Sequence, residues 1–143
     1  MVTRACAFYL SPMALSLQRP LAFFDLETTG TRIGRDRIIQ IGVVRLLPGG
    51  ERERWQTLVN PGMPIPPEAT AVHGITDADV ADAPTLDEVA REILDQLAGC
   101  DLAGFNCMRF DVPFLAEELD RVGVSWNTTA LRIVDVQRIY HQM

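Results

Sequence analysis

The stretch Leu21-Ala-Phe-Phe-Asp-Leu-Glu-Thr-Thr-Gly30 constrains this chain more than any other. A short apolar run closed by a breaker-rich Thr-Thr-Gly reads as a buried strand and a turn. Yet the run ends in two acids, Asp25 and Glu27. Residues two apart on a strand project from the same face. Two carboxylates side by side repel, and a cation between them offsets that cost. Hard oxygen donors of this kind suit Mg²⁺ or Mn²⁺. Taken alone, a D-x-E pair is more often two solvated acids at an exposed strand end, so the rest of the chain has to decide.

The rest predicts a single α/β domain. Of 143 residues, 48% are hydrophobic and 22% charged, which excludes a disordered tail or a disulfide-stapled miniprotein. Arg37 to Leu46 is rich in Ile and Val and predicts a second strand. Pro48-Gly49-Gly50 predicts a hairpin turn, and Glu51 to Val59 a third strand. The four prolines between Asn60 and Pro67 forbid a regular element, although Pro67 can open one helical turn carrying Glu68 and ending near His73-Gly74. Thr76 with Asp79, and Thr85 with Glu88, match the capping-box spacing. Leu86, Val89, Ile93, Leu94 and Leu97 then lie at helical spacing, with Gly99 at the C-cap. Asp101 to Asn106 predicts a fourth strand. Pro113 starts a helix with Phe114, Leu115 and Leu119 inward and Gly123 closing it. Leu131 to Asp135 predicts a fifth strand, and Asp135 caps a helix that has scarcely begun at Met143. The sum is a mixed sheet with an antiparallel three-strand meander and flanking helices. Acids on the first strand meet an acid at the start of a later helix only if that strand is central.

Charge and cysteine content narrow the function. A net charge of −6 argues against a protein that coats long duplex nucleic acid. All thirteen basic residues are arginine, which codon bias explains. Cys6, Cys100 and Cys107 lack metal-ligand spacing and predict reduced thiols in a cytoplasmic protein. The apolar stretch from Ala5 to Leu17 is too short to span a bilayer and is interrupted by Pro12. Pro12 and the lack of a small-residue cleavage site argue against a secretory signal, and Met13 is the preferred natural start; residues 1–18 are expected to be a poorly ordered extension and residues 19–143 the domain.

A third acid lies in Phe105-Asn106-Cys107-Met108-Arg109-Phe110-Asp111, between a strand and a helix. Asp111 there is either an N-terminal helix carboxylate favoured by the dipole or a third metal ligand. At this point FFDLETTG (Phe23 to Gly30), PPEATAVHGIT (Pro66 to Thr76) and GFNCMRFDVPFL (Gly104 to Leu115) together resemble the DEDD-type 3′→5′ exonucleases of ribonuclease H-like fold. That family includes the proofreading subunit of bacterial DNA polymerase III, ribonuclease T and exonuclease I. The resemblance runs from about Arg19 to Met143.

The resemblance implies two divalent cations, Mg²⁺ or Mn²⁺, held by Asp25, Glu27 and Asp111, with Asp25 bridging. It also implies hydrolysis of phosphodiesters at the free 3′ end of single-stranded DNA or RNA, one cation activating water and the other steadying the leaving oxygen. Thr28, Thr29 and Gly30 would cradle the terminal nucleotide, and Glu68, His73 and Asn106 would contact substrate. The bland reading of His73 is a helix-end histidine satisfied by backbone carbonyls. Arg32, Arg35 and Arg37 would supply local positive charge, and a DNA polymerase is an implied partner. The family also uses a general-base histidine and a fourth aspartate on one late helix. Here only Asp135 and His141 follow Asp111 as candidates, and they stand in the reverse order. The expectation is therefore a domain truncated at its C-terminus: a catalytically impaired fragment of a longer exonuclease, or else a non-catalytic module that binds nucleic-acid ends. A two-carboxylate glycosidase would leave the Thr-Thr-Gly turn and the Asp111 loop unexplained.

Overall fold

A computed structural model describes residues 17–104, 109–129 and 131–135. Its strands are β1 (Leu21–Thr28), β2 (Ile38–Leu46), β3 (Arg52–Leu58), β4 (Asp101–Gly104) and β5 (Ile133–Asp135). They form one sheet in the order β3-β2-β1-β4-β5. The meander pairs antiparallel, whereas β1–β4 and β4–β5 pair parallel. The first strand is thus central and the sheet is mixed, as the sequence pattern predicts.

Four helices flank the sheet among the described residues: α1 (Pro67–His73), α2 (Asp77–Val80), α3 (Leu86–Leu97) and α4 (Asp111–Arg121). The turn between β2 and β3 closes with Gly50 N–H on the Leu47 carbonyl at 2.9 Å. Gly50 there has φ of 92°, which a side chain resists. The inward faces of α3 and α4, including Ile93, Leu97, Phe114, Leu115 and Leu119, pack on Ala22, Phe24 and Leu26 of β1. The opposite face of β1 buries Leu21 and Phe23 with Ala103 and Leu17. Leu17, expected in the extension, therefore joins the packed sheet, and Arg19 anchors on the Gly99 carbonyl and on Asp101. The rest of the expected extension lies outside the described residues.

Two local expectations change. Helix α4 begins at Asp111, two residues before Pro113, because a proline in the first turn gives up only an N–H that has no helical acceptor. Thr76 and Asp79 form the reciprocal capping box. Thr85 does not: its hydroxyl donates to Asp87 and Glu88 carboxylates at 2.6 and 3.0 Å and takes no helix N–H. The fourth strand is described only to Gly104, and the helix after Asp135 lies outside the described residues. Cys100 is a buried free thiol whose pKa burial pushes up; Cys6 and Cys107 lie outside the described residues. No helix among the described residues is long and apolar enough to cross a membrane.

Candidate metal centre

Strand alternation sets the first two acids. Phe24 and Leu26 point into the helix-covered core, so Asp25 and Glu27 share the other face of β1. Both stand beyond Phe23, the last residue of β1 that pairs with β4. Because β1 and β4 run parallel, their carboxyl ends lie at one edge of the sheet. The chain leaves β4 at that edge and returns at Asp111, the first residue of α4. Crevices at the carboxyl ends of parallel strands are the common ligand sites of such sheets.

Electrostatics tie the three acids together. Burial, and then the neighbouring Glu27, push the Asp25 carboxyl above its ordinary range. Asp111 is pushed up to about 7, first by burial and then by the charges of Asp25 and Glu27. A helix N-terminus favours an ionised aspartate, so at Asp111 burial and like charge overcome the dipole. The three side chains share one negative field. They do not close on a point: among the described residues, no three His, Cys, Asp or Glu side chains stand close enough to clasp an ion. The donor set still fits a hard divalent cation, because what raises Asp111 besides burial is negative charge, and these donors are all carboxylate oxygens.

The segment after Glu27 is braced internally. Buried Thr29 donates its N–H to the Arg37 carbonyl and accepts the Arg37 N–H on its hydroxyl, both at 2.9 Å. That hydroxyl donates to Asp36 Oδ1 at 2.9 Å, and Asp36 Oδ2 accepts the Arg32 N–H at the same distance. A Cβ on Gly30 would meet Asp36 Oδ2 at 2.5 Å, so the glycine makes room for this carboxylate. Thr28 donates its hydroxyl to the Gly30 carbonyl at 2.6 Å. All three residues expected to cradle a nucleotide thus hold the loop's own shape. Arg37 turns inward, donating to the Arg35 and Asp36 carbonyls and standing 3.7 Å from Glu118, so only Arg32 and Arg35 stay exposed.

On α1, Glu68 is exposed in the first turn. His73 closes the helix, and its Nδ1 accepts the Ile75 N–H at 3.1 Å rather than donating to a carbonyl. The neutral ring then carries its proton on Nε2, which is buried and has no partner among the described residues. Asn106 and His141 lie outside the described residues. Asp135 ends β5, where its backbone pairs with Gly104.

Two residues of this region escaped sequence reasoning. Asp36 left no periodic signal. Glu118 did leave one: it stands with Leu115 and Leu119 at the i, i+3, i+4 positions of an inward face and is 1% exposed.

The exonuclease family pattern matches residues 22–140. A DNA polymerase III subunit epsilon-like protein of Rhodobacter capsulatus is 43% identical over 114 residues, covering 78% of this chain and 16% of that protein. The DNA polymerase III subunit epsilon of Pasteurella multocida is 36% identical over 129 residues, covering 83% and 49%. The exonuclease I of Methylocaldum szegediense shares the fold with a TM-score of 0.72 at 26% identity, over 85% of this chain and 28% of that one. Escherichia coli exonuclease I in complex with a dT13 oligonucleotide gives 0.76 at 20% identity, over 87% and 29%, a likeness of fold. The chain thus spans half or less of the length of these proteins. With the family pattern running from β1 past β5 across all three acids, the chain belongs to the exonuclease family of the DEDD 3′→5′ type.

Proposed function

We propose that this domain holds divalent cations through Asp25, Glu27 and Asp111 and hydrolyses phosphodiester bonds from the 3′ end of single-stranded DNA or RNA. The observation that carries the proposal is that burial, and then the charges of Asp25 and Glu27, push the Asp111 carboxyl up to about 7. Divalent cations bound there would lower the pKa of a water and stabilise charge building on phosphate oxygens. The protein's own part is to bring Asp111 from α4 against the β1 acids, and to hold Thr28 to Gly30 in one shape beside them. His73 Nε2 offers its unpartnered N–H to a phosphate or sugar oxygen. Arg32 and Arg35 offer exposed charge to the strand upstream.

The relatives support this reading. An E. coli exonuclease I–single-stranded DNA complex is known with bound zinc. Within this chain we take Mg²⁺ or Mn²⁺ as the working ions, because the donors are carboxylates. Relatives named as epsilon-type subunits of DNA polymerase III make a polymerase the protein partner to test first.

The test is 3′ shortening of a 5′-labelled single-stranded DNA and a matched RNA, with Mg²⁺ or Mn²⁺ and an Asp25→Ala control. Metal-dependent shortening that vanishes in the control supports the proposal and names the sugar. The reversed order of Asp135 and His141 favours one second reading, a non-catalytic module that binds 3′ ends. Oligonucleotide binding without shortening, unaffected by Mn²⁺, would establish that module instead.

A further inference from the structure

The geometry points to Glu118 as a positioning residue that sets the distance between Asp111 and the β1 acids, an inference that rests on the metal-centre reading above. Glu118 follows Asp111 by seven residues, two turns of α4, so both lie on one helix face about 10 Å apart along the axis. Its carboxylate is buried at 1% exposure. Oε1 accepts the Ile38 N–H, the first of β2, at 3.1 Å. Oε2 accepts Arg121 Nε at 2.8 Å and lies 3.7 Å from an Arg37 guanidinium nitrogen.

These contacts reach across the site. Arg37 exchanges backbone and side-chain bonds with Thr29, and Thr29 follows Glu27 by two residues. One buried carboxylate therefore pins the helix that carries Asp111 to the loop that ends the strand carrying Asp25 and Glu27. An apolar side chain at position 118 would pack α4 on the sheet equally well. It would leave the helix free to slide along its axis, because apolar contacts have no direction. The Ile38 bond fixes the register, and the two arginines hold the carboxylate where that bond needs it. Asp111 and the β1 acids come from separate segments that repel each other, so a directional tie is what the site requires.

The experiment compares Glu118→Ala, Glu118→Gln and Leu119→Ala in the full chain. Leu119→Ala is the control for lost stability, since it opens the same buried helix face without removing a hydrogen bond or ion pair to the loop. Mn²⁺ affinity is read by electron paramagnetic resonance well below each melting temperature. The hydrogen exchange of the Thr29 and Arg37 amides is read without metal. Glu118→Ala should weaken Mn²⁺ tenfold or more, the usual effect of losing an outer-shell support. It should also speed exchange at Thr29 and Arg37, lowering kcat while the KM for oligonucleotide stays unchanged. Glu118→Gln, which keeps an acceptor for Ile38, should recover most of the affinity. Leu119→Ala should change neither affinity nor loop exchange. Equal loss of affinity in Leu119→Ala and Glu118→Ala, or unchanged affinity in Glu118→Ala, would overturn the inference. A wild-type chain that binds no Mn²⁺ would instead overturn the functional reading, and loop exchange would then decide the Glu118 tie alone.

Discussion

Replacing Asp111 by asparagine should stabilise the metal-free domain, even though it removes a proposed ligand. The folded chain holds the Asp111 proton up to about 7, against an ordinary value of 3.8. A carboxyl raised on folding contributes stability that is complete below its unfolded pKa and is lost as the pH climbs through the folded one. The window runs from about pH 4 to pH 7. Three pH units at 1.36 kcal/mol each amount to roughly 4 kcal/mol at the alkaline end. Asparagine has the shape of the protonated acid and escapes that cost. Urea unfolding in EDTA should therefore find Asp111→Asn more stable than the parent by about 2–4 kcal/mol at pH 8, with no advantage at pH 4. Mn²⁺ at a thousand times its Kd should reverse the ranking, because ligand at that excess adds about 4.1 kcal/mol to the parent. An Asp111→Asn chain no more stable than the parent at pH 8, or an advantage that persists at pH 4, would refute the claim that burial and the neighbouring acids raise the Asp111 carboxyl.

Other outcomes follow from the loop and the caps. Gly30→Ala drives a Cβ into the fixed Asp36 carboxylate and should cost about 1–3 kcal/mol in thermal unfolding; an unchanged melting temperature would mean that Asp36 is free to move. Thr29→Val removes a buried hydroxyl with three partners, the Arg37 N–H, Asp36 and the Met63 sulfur, and should cost about 1–3 kcal/mol by denaturant titration. Thr76→Ala should cost about 1 kcal/mol, as a true N-cap does, whereas Thr85→Ala should cost less because no helix N–H loses its acceptor. Equal losses at the two threonines would contradict the assigned hydrogen bonds.

Short-range signals carried most of the fold. Apolar runs bounded by Gly and Pro marked the three meander strands to within a residue or two, and the inward face of α3 followed its helical spacing. The central position of β1 was legible because acids on two separate segments needed a common edge. What stayed hidden depended on reach across the fold. Thr85 had the spacing of a cap, but two adjacent acids competed for its hydroxyl. Thr28, Thr29 and Gly30 looked open to a ligand because nothing in the sequence showed Thr28 bonding to Gly30, or Asp36 curling back onto Thr29 and Gly30. Arg37 was one of three nearby cations until Glu118, eighty positions from Ile38, claimed the inside of the loop. Side chains that bind their own fold and side chains that bind a ligand have the same composition. Only their partners separate them.

The mixed pairing of β1 has a consequence for how the chain folds. On one side β1 meets β2 through a loop from Thr29 to Arg37, and β2 meets β3 through a tight turn. On the other it meets β4, with Leu21 beside Asp101. Closing the meander costs little loop entropy, whereas docking β4 and α4 must wait for a far longer segment to be confined. The meander should therefore carry the high φ-values of the transition state, and β4 and α4 the low ones. Asp25 and Glu27 should then be in place early, with Asp111 arriving against their charge at the end. A divalent cation should then act almost wholly on the unfolding rate, slowing escape from the native state while leaving the folding rate nearly unchanged. Metal would be a latch on a finished structure, with no part in nucleating it.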